Sequence, residues 1–136
     1  LSHNYFLNTE AKEEHLRTCK KASELVASGQ PDALMEVTFP MPHLFSARAY
    51  LDKHGPEERY YLGRYIEKVR CPMLIMVGTR EDAPHHRYCA LDIHTTVRDR
   101  ANVQVRFGEG ADHMYTGRLP VLAKNTVEWL TNLKNG

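Results

Sequence analysis

A chain of 136 residues, 42% apolar and 26% charged, is long enough for one domain with a real core and has the composition of an ordinary globular protein. Its formal charge of +1 supplies no field to attract nucleic acid or an anionic membrane. No apolar run approaches the roughly 20 residues of a membrane helix.

The opening LSHNYFLNTEAKEEH lacks the basic start and apolar stretch of a signal peptide. Cys19, Cys71 and Cys89 are odd in number, widely spaced and free of any C-x-x-C pair, which argues against a disulfide framework or structural zinc and for a reducing, cytoplasmic compartment. The chain starts at Leu1 and not at Met, consistent with a fragment or a processed chain.

Residues 10–28 read as a helix, with Thr9 as its cap and Leu16, Cys19, Ala22, Leu25 and Val26 on one face. Gly29 and Pro31 end it. Leu34 to Phe39 is a short extended stretch, and Pro40 and Pro42 prevent a longer one. Ser46 opens a helix through Tyr50 and Leu51 that Gly55-Pro56 stops. A further helix is expected over 57–67, with Tyr60, Tyr61 and Tyr65 partly buried.

The second half follows another pattern. Met73 to Val77 is a continuous apolar run between Pro72 and Gly78, the mark of a strand buried on both faces. A helix over 85–96 follows, with Tyr88, Leu91 and Val97 directed inward. Val103 to Phe107 alternates like a strand nearer a sheet edge. A glycine-rich loop leads to a closing helix over 119–133 with Leu122, Val127, Trp129, Leu130 and Leu133 available for burial. Strand–helix–strand–helix is the unit of a parallel sheet, so the fold class is α/β. Two such strands make an incomplete sheet. The expected division is residues 1–68, a helical lid segment returning to the core, and residues 69–136, part of the core itself.

Strands of a parallel sheet end at one edge, where ligands bind. The loop after the first strand is Gly78-Thr79-Arg80-Glu81-Asp82, and that after the second runs from Gly108 to Tyr115 through His113. A carboxylate and an imidazole at one edge are what a histidine general base requires: one nitrogen takes a proton while the acid holds the other N–H.

CPMLIMVGTRED resembles the penultimate-strand signature of the α/β-hydrolase superfamily. GEGADHMYTG resembles that fold's histidine loop, and the helix ending in VEWL its last helix. FPMPHLFSARAYLDKHGPEERY is similar to the return from a lid. The resemblance covers nearly the whole chain, as the C-terminal half of an α/β-hydrolase fold.

The resemblance implies His113 as general base and acid and Glu81 as the orienting carboxylate, with Asp82 as the alternative. It implies hydrolysis of an ester, amide or related acyl bond in a small-molecule substrate, with no cofactor and no metal. No G-x-S-x-G occurs. Ser2, Ser23, Ser28 and Ser46 lack flanking glycines and a buried strand before them. The nucleophile is therefore expected from an N-terminal half of the fold, a separate chain or a missing segment. Membrane and nucleic-acid partners are not expected, and homo-oligomerisation stays open. The rival reading is a non-catalytic binding or regulatory subunit on the same scaffold, and a third is a small α/β domain whose acid–histidine loop is incidental.

Simpler roles exist for each residue. His113 serves equally as a loop histidine bonding backbone carbonyls, and Glu81 or Asp82 as a helix cap. His85 and His86 point apart on a helix, and no ligand at suitable spacing joins them. Cys89 fits as a small core residue, and Tyr115 and Arg118 as packing for the loop.

Overall fold

The structure is a computed structural model that describes residues 2–39, 42–82 and 84–134. The chain is α/β and forms two compact units, residues 1–64 and 65–136. Among the described residues no helix is long and apolar enough to cross a membrane. Pro40, read as a strand breaker, lies outside the described residues.

The first unit contains α1 (His3–Leu7), α2 (Lys12–Ala27), β1 (Leu34–Val37), β2 (His43–Ser46) and α3 (Ala47–His54), followed by a 3-10 turn over Leu62–Arg64. β1 and β2 pair antiparallel, from Leu34↔Ser46 to Val37↔His43. The alternation of β1 sends Met35 and Val37 inward and leaves Leu34 out. Cys19, Ala22, Met35, Val37, Ala47 and Tyr50 form the core, with Leu25, Phe45 and Leu51 packed on it.

α2 starts later than its sequence suggests. Thr9 does not cap it, because its hydroxyl donates back to the Phe6 carbonyl at 3.0 Å. Its buried face is centred on His15, Cys19 and Ala22, while Leu16 and Val26 are exposed. Gly29, at φ +79°, ends it as expected. The Gly29 N–H donates to Val26 and the Gln30 N–H to Leu25, the paired bonds of a Schellman motif. Ser46 caps α3 by accepting from the Ala49 N–H at 3.3 Å. The helix expected over 57–67 is absent. Glu58 takes φ +47°, which throws the chain out of the helical path, and short 3-10 turns over Leu62–Arg64 and Ile66–Lys68 replace it. Tyr61 is buried and Tyr60 exposed.

Aromatic rings and imidazoles line the α1–α2–α3 side of this unit. Phe6 stacks on His15 with centroids 4.3 Å apart, and His15 Nδ1 lies 3.0 Å from the Tyr50 hydroxyl. Burial, reinforced by the neighbouring His3, pulls the His15 imidazole down to about 4.

The second unit runs through a 3-10 turn (Ile66–Lys68), β3 (Met73–Gly78), α4 (Pro84–Thr96), β4 (Val103–Gly108) and α5 (Leu119–Lys134). β3 and β4 are parallel neighbours in register from Met73↔Val103 to Gly78↔Gly108. Ile66, Ile93, Val97 and Val103 form its core, against Val69, Met73, Ile75 and Val105. These alternate strand residues face α4. On the other face the Arg106 guanidinium donates to the Asn125 carbonyl of α5 at 3.0 Å. The turn before β3 is clamped by Arg100, which donates to the Ile66 and Val69 carbonyls, and by Asn102, whose amide donates to those of Val69 and Cys71.

Three expectations need correction here. β3 is half-buried over Met73–Val77 and not buried on both faces. The inward face of α4 is Ala90 and Ile93, with Leu91 half-exposed, because the helix is rotated from the phase its sequence suggested, while Val97 just past its end is buried as expected. Val127, Leu130 and Leu133 of α5 are exposed, although Trp129 is half-buried. A two-stranded sheet offers these residues too little surface for full burial.

Candidate functional site

β3 and β4 end level, at Gly78 and Gly108, and the loops leaving them are stitched together. The Thr79 N–H donates to Gly108 O at 2.9 Å and the Arg80 N–H to Ala111 O at 2.8 Å. The Gly110 N–H donates to Thr79 Oγ1 at 2.8 Å. The approach is so close that a Cβ on Gly78 would sit 2.2 Å from Ala111 O, and one on Gly108 would lie 2.7 Å from the Tyr115 ring. Glycine at Gly78 is a steric requirement of this crossing, because the atoms it would meet are backbone, whereas at Gly108 the neighbour is the far end of the Tyr115 side chain.

The stitched loops bring Glu81 and His113 together. Glu81 is 4% exposed at its side chain, and its Oε2 lies 2.9 Å from His113 Nδ1. A carboxylate only accepts, so Nδ1–H is the donor in this contact, and in a neutral imidazole the lone pair is then on Nε2. Nε2 makes no hydrogen bond among the described residues, and the imidazole is 59% exposed. A buried acid holding an exposed imidazole by one nitrogen leaves the other open for proton transfer.

Asp82 lies outside this pair. It is exposed and makes no hydrogen bond or ion pair among the described residues. Asp112 also stands apart: it accepts from the Thr116 N–H at 2.8 Å, which bends the loop after His113 and holds the Asp112 carboxyl below its usual range. Tyr115 adopts φ +54°, with its ring on Gly108. Burial first, and the negative Glu81 second, push its phenol upward.

His86 is the participant that the sequence did not reveal. Its Nδ1 lies 3.2 Å from Glu81 Oε1, near enough for an ion pair but out of line for a hydrogen bond. Its ring stacks on His113 at 4.8 Å and 20°. The expectation that no carboxylate joins His86 is corrected: Glu81, five residues earlier, meets it because the chain turns into α4 between them. His85 packs edge-on against His86 at 4.1 Å. Burial, then the adjacent His86, lowers the His85 imidazole to about 4.

Glu81, His86 and His113 are also three metal-ligand types in one place, with donor atoms within 4.8 Å of one another. The two imidazoles are nearly parallel, and their Nδ1 atoms lie against separate oxygens of one carboxylate. Of the two, only His113 is aligned for a hydrogen bond to Glu81, and His86 lies beside the other oxygen.

The four serines all belong to the first unit and have structural partners. Ser2 Oγ donates to Glu58 Oε1, Ser23 Oγ to Cys19 O and Ser28 Oγ to Leu25 O, while Ser46 caps α3. Cys89 lies on α4, half-buried, as a small packing residue does. No family model, curated protein or solved structure matches the chain.

Proposed function

We propose that this chain is the lid segment and C-terminal half of a serine-type α/β hydrolase, acting on an ester, amide or related acyl bond. The observation that carries the reading is the 2.9 Å contact between Glu81 Oε2 and His113 Nδ1 at the carboxyl ends of two adjacent parallel strands. The half-buried β3 and the exposed apolar residues of α5 support it, since further strands and helices of a larger sheet would cover them.

In this reading a serine hydroxyl from the N-terminal half of the fold gives its proton to His113 Nε2 as its oxygen attacks the acyl carbon. Glu81 holds Nδ1–H and stabilises the imidazolium. The same proton passes to the departing alcohol or amine, leaving an acyl-enzyme. His113 then takes a proton from water, which releases the acid and restores the serine. No cofactor or metal enters these steps, and the compartment that fits three widely spaced cysteines without a C-x-x-C pair is cytoplasmic.

The test uses the assembled protein with a p-nitrophenyl ester as substrate and a fluorophosphonate as label. Glu81→Gln should lower turnover by about 10⁴-fold, the loss seen when an orienting acid becomes its amide, while Asp82→Asn stays near the parent. A dead Asp82→Asn beside a fully active Glu81→Gln would transfer the role to Asp82. An assembly that never labels would be a binding subunit and not an enzyme.

A further inference from the structure

His86 touches both members of the acid–histidine pair, and the proposed hydrolysis gives it no part. It lies in the first turn of α4. Its ring is nearly parallel to that of His113, with centroids 4.8 Å apart and 20° between the planes. Its Nδ1 is 3.2 Å from Glu81 Oε1, while His113 Nδ1 is 2.9 Å from Glu81 Oε2. One buried carboxylate therefore faces an imidazole with each oxygen, and the two imidazoles face each other.

The proton on His86 follows from charge. Its Nδ1 is buried and has no hydrogen-bond partner. A lone pair on that nitrogen would set two negative centres 3.2 Å apart in a site with little water, whereas an N–H sets a positive hydrogen toward the oxygen. Nδ1–H is the state the contact favours, as an electrostatic attraction too bent to count as a hydrogen bond. His85 packs edge-on against His86 at 4.1 Å. Burial, then the adjacent His86, holds the His85 imidazole at about 4, so at neutral pH it adds no positive charge to draw Glu81 away.

These contacts act on two soft torsions. The final bonds of a glutamate and of a histidine turn between sp³ and sp² atoms, where local sterics hold neither group at one angle. A half-turn of the His113 ring would put Cδ2 where Nδ1 meets Glu81 and would carry Nε2 away from its open position. Stacking on His86 opposes that turn. The His86 N–H beside Oε1 opposes rotation of the carboxylate, which keeps Oε2 on His113.

We propose that His86 is a positioning residue for this pair: by stacking on His113 and facing Glu81 Oε1 it holds His113 in the Nδ1–H tautomer with Nε2 open. The value of that tautomer to catalysis rests on the hydrolase reading, because an imidazole with its proton on the wrong nitrogen cannot act as base toward a serine. The arrangement itself belongs to this chain alone.

The full chain, isotope-labelled in its histidines, is read by two-bond proton–nitrogen correlation in alkaline buffer, where imidazoles are neutral. His113 should carry its proton on Nδ1. His86→Ala loses both contacts and should lower the ratio of Nδ1–H to Nε2–H at His113 by at least about twofold, the worth of one modest ring stack. The His86 side chain is 40% exposed, so this change opens no closed cavity, and hydrogen exchange of the β3 and β4 amides reports that the unit stays folded. His86→Phe restores the ring and His86→Asn a donor near the place of Nδ1, and each should recover part of the loss. His94→Ala, at an exposed position of the same helix, should leave the ratio at the parent value. A smaller fall in His86→Ala, recovery by neither replacement, or an equal fall in His94→Ala would overturn the proposal. Should His86→Ala not fold, His86→Phe decides, since an unchanged ratio without the N–H would be equally fatal. In the assembled protein, p-nitrophenyl ester turnover in His86→Ala should fall by about tenfold or more at nearly unchanged KM, and full turnover would refute the role. A parent assembly that never reacts with a fluorophosphonate sinks the hydrolase reading and leaves the tautomer measurement to judge His86.

Discussion

Gly78→Ala tests whether the crossing of the two strand-end loops organises the acid–histidine pair. An added Cβ would lie 2.2 Å from Ala111 O, 2.7 Å from its carbonyl carbon and 2.8 Å from Asp112 O. All three are backbone atoms, so no side chain can rotate away. The loop bearing His113 must retreat by at least 0.8 Å to reach the 3.0 Å that real Cβ contacts respect. That movement strains or breaks the bond from the Arg80 N–H to Ala111 O, in a segment where Ala111 is fully buried.

Overpacking of this kind costs about 1–3 kcal/mol and a lost hydrogen bond about 1 kcal/mol, so we expect ~2–4 kcal/mol in all. In a unit of this size that lowers the midpoint of thermal unfolding by about 10–30 °C. Gly117→Ala is the control: it sits at φ +66° with nothing within 4 Å of its Cβ position, and only the left-handed backbone opposes it, at about 1 kcal/mol. Urea unfolding of the full chain, followed by hydrogen exchange of the β3 and β4 amides, measures both. If the proposed assembly hydrolyses esters, a displacement near 1 Å should also lower its turnover by about 100-fold. A Gly78→Ala protein within about 0.5 kcal/mol of the parent, or no worse than Gly117→Ala, would refute the argument.

Two further outcomes follow from the packing. Arg100→Ala removes a guanidinium bonded to the Ile66 and Val69 carbonyls and should cost about 2–3 kcal/mol in urea unfolding of the second unit, with Arg100→Lys recovering only part because an ammonium lacks the planar fork. The first unit should weaken as pH falls from about 6.5 to about 4, because the unfolded chain protonates His15 while the fold, with His3, Cys19 and Tyr50 against that ring, disfavours the proton. The full effect is about 3 kcal/mol, and a urea midpoint that stays level between pH 7 and 4.5 would contradict it.

Several elements were legible in the residues. Met73–Gly78 and Val103–Gly108 are strands because apolar, β-branched runs end at glycines, and α4 and α5 follow at the spacing of a crossover unit. Ser46 as a cap and Gly29 as a terminator are local effects of one side chain or its absence. Other features escaped because they rest on contacts distant in sequence. β2 exists only by pairing with β1. The 57–67 helix gave way to a left-handed Glu58 whose carboxylate accepts from Ser2 Oγ, 56 residues away. Leu16 looked inward by periodicity, but the buried face of α2 is set by what α1 and α3 bring to His15.

The sequence by itself determined an α/β chain and the position of an acid and a histidine in consecutive strand-end loops, since hydrophobic period and glycine placement are properties of neighbouring residues. Tertiary structure decided which groups meet. It set Glu81 against His113 and left Asp82 in solvent, brought His86 onto the same carboxylate, and folded His3 back onto His15 and Cys19. Each of these turns on an ångström-scale approach between segments that only the folded backbone brings together.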